Sequence, residues 1–213
     1  RPYICSRMMA LLRSKTEEDL IIWGGLYNLL ARSFTSDIEE LGRVMEQLPR
    51  VLELAKVANV WHILENLELA LQDSSATEGY VKLFEMGNAP PYETSYTCKE
   101  HPYRNNFDEA DISGFYKAFG MKAKGELPDH LAAELEFMAL LYLKQGYAAL
   151  SGNNASAEIC REAREKFFVE HLSKWVDQFK AEVTRQAKKP LYPLLLGLIS
   201  SVINETSKQE VSS

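Results

Sequence analysis

The stretch ELPDHLAAELEFMALLYL, residues 126–143, decides the fold class. Leu131, Leu135, Met138 and Tyr142 recur at spacings of three and four, the repeat that lines one face of an α-helix. Phe137, Leu140 and Leu141 add a second apolar flank, which makes the stripe wide enough to be buried on more than one side. Pro128 reads as the first helical residue, since its φ is already set and it has no N–H to satisfy. Asp129 behind it puts negative charge where the helix dipole favours it. His130 and Glu134, four apart, are expected to pair on one face.

Outward from this helix, proline placement sets the element boundaries, because Pro breaks helices and strands alike. Apart from Pro2, the prolines stand at 49, 90, 91, 102, 128, 190 and 193. The intervals between them are helical in period. Thr16 with Asp19 reads as an acidic helix start ahead of Leu20, Trp23, Tyr27, Leu30 and Phe34. Ser36 with Glu39 and Ser75 with Glu78 read as capping boxes, and Pro49 as a fresh helix start before Leu52, Ala55, Val57, Val60, Ile63, Leu64, Leu67 and Leu71. Ile112, Phe115, Tyr116 and Phe119 form a short stripe that Gly120 terminates. Gly152 and Asn153 make a turn. Residues 155–187 read as one or two helices with Phe167, Phe168, Leu172, Trp175 and Phe179 facing inward. A last apolar helix covers Leu191 to Ile203. No segment alternates with period two, and no repeat of 34 or 40 residues is visible. The expected fold is all-α, a single globular bundle of about eight to ten helices. It should occupy residues 16–205, between a tag remnant or disordered N-terminal extension at 1–15 and a frayed tail at 206–213.

At 213 residues, with 46% hydrophobic and 25% charged residues, the chain is long enough to bury a sizeable core in one domain. Its formal charge of −6 and the lack of Lys/Arg clusters argue against a nucleic-acid surface and favour a basic partner. Cys5, Cys98 and Cys160 are odd in number and far apart, which fits a reducing compartment and offers neither a disulfide framework nor a zinc knuckle. The sequons at Asn154 and Asn204 are short enough to arise by chance. The N-terminal RPYICSRMMALLRSK is basic but has no apolar core or cleavage site of a signal peptide. Its start on Arg1 points to a tag remnant or an upstream extension, with Met8 or Met9 as the native start. The run from Leu191 to Ile203 is too short to span a bilayer and carries Pro193 and Gly197. A cytoplasmic, soluble protein is the expectation.

Catalytic patterns are absent. None of His62, His101, His130 and His171 has Glu three residues before it, as a carboxylate-bridged di-metal bundle requires. There is no Walker loop, dinucleotide fingerprint, HExxH or nucleophile elbow, so no cofactor is expected. Cys98 and His101 flank Pro102 in a loop without a third partner, which reads as a solvated pair rather than a nucleophile and its base. Asp129 and His130 are the sharpest polar pair. By local physics alone they belong to a helix start; as an acid-base dyad they would need a closed pocket.

The second informative stretch is YVKLFEMGNAPPYETSY, residues 80–96, a helix running into a Pro-Pro-aromatic loop. Pro90 and Pro91 impose an extended backbone, and Tyr92 and Tyr96 add rigid aromatic surface that either covers the core or holds an extended peptide. Pro90, Pro91, Tyr92, Ser95 and Tyr96, taken with Pro128-Asp129-His130 and the helix behind it, resemble the signature of the TorD/DmsD/NarJ family of redox-enzyme maturation chaperones. The wording PPYETSY is closest to the subgroup serving type II DMSO reductases. Tyr92 stands where many relatives carry Trp, and Glu93-Thr94 replaces a smaller pair. The likeness extends from Trp23-Tyr27-Leu30 to FFVEHLSKWVDQF at 167–179.

That resemblance implies a helical chaperone without turnover. Its partner would be the apo catalytic subunit of a molybdenum-containing oxidoreductase, and in many relatives also the twin-arginine signal peptide of that subunit. Arginines of such a peptide would meet Glu85, Glu93, Asp129 and Glu134, and its apolar stretch Tyr80, Phe84 and Tyr96. A monomer or a helix-swapped homodimer is implied, with no nucleic acid and no stable membrane insertion. The rivals are a small-molecule enzyme built on Asp129 and His130, and a helical adaptor with no redox client.

Overall fold

The computed structural model describes residues 16–73, 76–97, 105–122 and 127–210, and nine α-helices form among them. Helix α1 (Glu17–Ser33) begins as its sequence predicts: the Asp19 amide donates to Thr16 Oγ1 and the Thr16 amide to Asp19 Oδ2, both at 3.1 Å. Helix α2 (Ile38–Leu54) is capped one residue later than expected. Asp37, not Ser36, receives the amides of Glu39 and Glu40 at 2.9 and 3.2 Å, a carboxylate being the stronger acceptor at the same helix end. The Ser75 box lies outside the described residues.

Pro49 does not start a helix. It sits inside α2, which ends a turn and a half later, where Lys56 and Asn59 adopt positive φ of 57° and 62° and turn the chain into α3 (Trp61–Leu71). Leu52, Ala55, Val57 and Val60 are all buried, so their spacing records burial through this turn rather than one continuous helix. Beyond α3, residues Val81–Glu85 make a π-helical turn, and a strap of chain leads to the short helix α4 (Thr94–Thr97). Helix α5 (Asn105–Ala118) ends as predicted, with Gly120 at φ +78° and the Met121 amide closing back on the Tyr116 carbonyl at 2.8 Å.

Helix α6 (Leu131–Leu150) is the axis of the molecule. It packs along α1 on one side and α7 (Asn154–Glu170) on the other, and Leu135, Phe137, Met138, Leu141 and Tyr142 are wholly buried. The predicted start at Pro128 is three residues early: Leu127–His130 form a turn, and His130 is the N-cap. The α1–α6 contact is close because glycine stands on both sides. A Cβ on Gly24 would lie 2.7 Å from the Leu143 side chain, and one on Gly146 3.0 Å from that of Ile21.

A 3₁₀ turn (Leu172–Lys174) separates α7 from α8 (Val176–Gln186), and Phe167, Phe168, Leu172, Trp175 and Phe179 face inward as expected. Helix α9 (Leu191–Glu210) carries the apolar run and continues through residues expected to fray. Thr206 is fully buried there and its hydroxyl lies 2.8 Å from that of Tyr27, a tertiary contact that holds the last turns. No described helix is long and apolar enough to cross a membrane.

Candidate functional site

The two motif segments meet at the N-terminal end of α6. The Glu93 amide donates to the Asp129 carbonyl and the Leu131 amide to the Pro91 carbonyl, both at 2.9 Å, so that Tyr92 and His130 form an isolated antiparallel bridge. Pro90 and Pro91 supply the extended conformation this pairing needs, and the carbonyl of Pro91 serves as acceptor where its missing N–H does not matter. Side chains reinforce the joint. Asp129 Oδ2 receives the Thr94 amide at 3.1 Å and the Thr94 hydroxyl at 2.7 Å, so Asp129 caps α4 from another part of the chain. The Tyr116 hydroxyl donates to the Pro128 carbonyl at 2.7 Å.

Asp129 and His130 serve different partners. His130 Nδ1 accepts the Ala132 amide at 3.2 Å and caps α6, while its ring meets Tyr92 and Phe34 edge-on at 5.3 and 5.8 Å. Glu134 reaches the indole N–H of Trp175 at 3.1 Å. Trp175 in turn stacks on Tyr96 with ring centres 5.7 Å apart.

Glu93 lies against the His171 ring, its carboxylate oxygens 3.1 and 3.3 Å from Nδ1, and Nε2 of the same ring lies 3.2 Å from Asp111 Oδ2. Of the ten buried polar side chains among the described residues, six gather here: Glu93, Thr94, Asp129, His130, Glu134 and His171. This end of α6 is therefore where the buried polar side chains of the described residues concentrate, a polar chamber at the edge of the core.

Its electrostatics follow from three carboxyl groups sharing one desolvated space. Burial pushes the Glu134 carboxyl well above the usual range, Glu93 and Asp129 add repulsion, and the Trp175 N–H opposes them. Glu134 Oε1 has no hydrogen-bond partner among the described residues, and the side-chain contact with Glu93 itself favours the protonated form. For His171, burial pulls downward, yet the hydrogen bonds and charges of Glu93 and Asp111 outweigh it and raise the net value. Asp129 Oδ1 is buried with no hydrogen-bond partner among the described residues. An orphaned carboxylate oxygen costs on the order of 1–3 kcal/mol and marks a place where a donor fits.

The structure gathers most of the sequence-predicted residues and separates a few. Pro91, Glu93, Asp129, His130 and Glu134 are buried at the joint, with Pro90, Tyr92 and Ser95 half-buried beside them. Phe84 and Tyr96 belong to the core, packed with Phe179, and Tyr80 is half-buried against Phe84 and Tyr192. Glu85 is exposed on the π-helical turn. The Cys98–His101 pair lies outside the described residues. Sequence reasoning missed Thr94, Asp111, Tyr116 and His171 as members of the chamber. For His171 a signal existed: it interrupts the inward stripe four residues after Phe167 and four before Trp175, so it had to be buried and therefore partnered.

The two motif segments of this all-helical domain close over a buried acidic chamber. A model of the family described as nitrate reductase delta subunit matches residues 43–181. The chain belongs to that family, which is of the NarJ/TorD chaperone type. It is 27% identical over 203 residues to the perchlorate reductase assembly chaperone protein of Dechloromonas aromatica strain RCB, an alignment covering 92% of this chain and 88% of that protein. It is 32% identical over 130 residues to the chlorate reductase assembly chaperone protein of Ideonella dechloratans, covering 58% of this chain and 66% of that one. With the selenate reductase assembly chaperone protein of Thauera selenatis it shares 30% identity over 139 residues, 62% of this chain and 70% of that protein.

Proposed function

We propose that this chain is a cytoplasmic assembly chaperone without turnover, binding the apo catalytic subunit of a molybdenum-containing oxidoreductase of the group that includes perchlorate, chlorate and selenate reductases. The joint between residues 89–97 and 127–134 receives a basic, partly apolar segment of that client, of which a twin-arginine signal peptide is the best fit. The observation that carries this is the orphaned Asp129 Oδ1 beside Glu93 and Glu134. A guanidinium, with five donors in a planar fork, satisfies carboxylates that the chain leaves short of donors. Access requires the strap to lift, against two backbone bonds and the Thr94 cap that tie it to the Asp129 segment. The acid-base dyad is disfavoured, since Asp129 faces Thr94 and the His130 Nδ1 lone pair is taken by the Ala132 amide.

The test is co-purification of the tagged chain from its native host, wild type against Asp129→Ala/His130→Ala, with the bound proteins identified by mass spectrometry. Recovery of an immature molybdoenzyme subunit by the wild type, lost in the double variant, is the expected result. A small molecule retained in place of any client, with the same dependence, would overturn the chaperone reading.

A further inference from the structure

We propose that Asp111, Glu170 and His171 form a site for one divalent first-row transition-metal ion, with Glu93 as the outer partner that holds the histidine. The three side chains come from α5 and from the C-terminal end of α7, and each offers one ligand atom, all within 4.8 Å of one another. Nε2 of His171 and Oδ2 of Asp111 are 3.2 Å apart, which matches the ligand–ligand edge of about 3.0–3.4 Å that bonds of about 2.1 Å produce around a tetrahedral or octahedral ion.

The second, independent observation is the support behind the ring. The His171 side chain is 5% exposed and that of Glu93 3% exposed, and the Glu93 carboxylate sits 3.1 Å from Nδ1. A buried carboxylate on Nδ1 fixes the ring and leaves Nε2, which faces Asp111, as the nitrogen an ion would take, the arrangement that orients histidine ligands in metal sites. Asp111, which faces Nε2, is 58% exposed, so the site is reached from the surface on that side. Glu170 is the last residue of α7, whose C-terminal carbonyls add negative potential. Lys166 pairs with Glu170 at 3.7 Å and is the one competing cation the ion pairs place here among the described residues.

One nitrogen and two carboxylate oxygens suit Zn²⁺, Co²⁺ or Mn²⁺; Ca²⁺ takes all-oxygen sets, and Cu⁺ takes thiolates. Loading also reaches the client joint. An ion on Nε2 makes Nδ1–H a stronger donor to Glu93, which lies in the strap between Tyr92 and Thr94, so the metal-bound protein holds its strap more firmly.

Chelator-stripped full chain titrated with CoCl₂ tests the site. The expected result is one Co²⁺ per chain with a nitrogen/oxygen-type visible spectrum. Asp111→Asn and Glu170→Gln each weaken binding by about tenfold or more while the metal-free melting curve stays in place, and Glu93→Gln weakens it by about 10–100-fold. Hydrogen exchange of residues 93–97 slows on loading of the wild type. Affinity unchanged in either ligand variant, or a sulfur-to-cobalt charge-transfer band placing the ion on cysteine, overturns the site. Wild-type affinity in Glu93→Gln, or exchange indifferent to cobalt, overturns the role of Glu93. None of these readouts involves a client, so they stand or fall apart from the chaperone reading.

Discussion

The two ends of α6 solve opposite problems. Toward its C-terminus the helix lies against α1 with Gly24 and Gly146 in the contact, and the fit there is one of shape, the Leu143 and Ile21 side chains filling the space beside the two glycines. At its N-terminus the same helix is surrounded by Glu93, Asp129, Glu134 and His171, and the fit is one of donors and acceptors that do not quite balance. The difference teaches where stability and where binding capacity reside. A close-packed apolar seam has one arrangement, whereas a buried polar joint with an orphaned oxygen is worth less in place and has something to gain from a ligand.

The comparison breaks most visibly at the seam. Gly24→Val puts branched carbons where a single Cβ already falls 2.7 Å from Leu143, and helix separation should cost about 3 kcal/mol in a urea melt, with the polar joint spared. Asp129→Ala comes next. Loss of a charge-assisted cap is expected to cost about 2 kcal/mol, concentrated as faster hydrogen exchange at residues 94–97, while Asp129→Asn, which keeps one acceptor oxygen, costs less than half of that.

Glu134 sharpens the contrast through pH. Folding raises its pKa, so its contribution is fully present below the ordinary carboxylate range and is lost as pH rises toward the folded value, because only the unfolded chain then gains by ionising. Glu134→Gln removes that loss and keeps a donor for Glu93. The variant should be more stable than wild type by on the order of 1 kcal/mol at pH 8 and indistinguishable from it near pH 4. A difference between Glu134→Gln and wild type that is the same at both pH values would contradict a protonated Glu134. The smallest effect belongs to the exposed Lys189–Asp73 pair at 2.6 Å: Lys189→Met should leave the midpoint of a urea melt in place, since solvent screens an exposed pair.

Legibility followed the kind of interaction. The stripe of α6, the Thr16 cap, the Gly120 terminator and the Gly152–Asn153 turn were all readable, since each depends on residues within a few positions of one another. Pro49 was misread because a proline late in a helix and one at a helix start look alike until the following turn is known. Ser36 lost to its neighbour Asp37, whose carboxylate is the stronger acceptor, and Pro128 lost the helix start to His130, whose Nδ1 takes the Ala132 amide. Residues 206–210 looked like a tail because nothing local shows that Thr206 would meet Tyr27.

By itself the sequence determined that this protein is all-helical and where most of its helices run, and the Pro90–Tyr96 and Pro128–Glu134 segments carried the resemblance to the family. Periodicity and turn residues are local, and motifs survive as strings. Only the tertiary structure decided that Asp129 caps a helix begun 35 positions earlier in the chain, that Glu93 and His171 are partners across 78 positions, and that three carboxyl groups share one buried space. Desolvation and hydrogen-bond geometry set those relations, and both are properties of the assembled core that no local window contains.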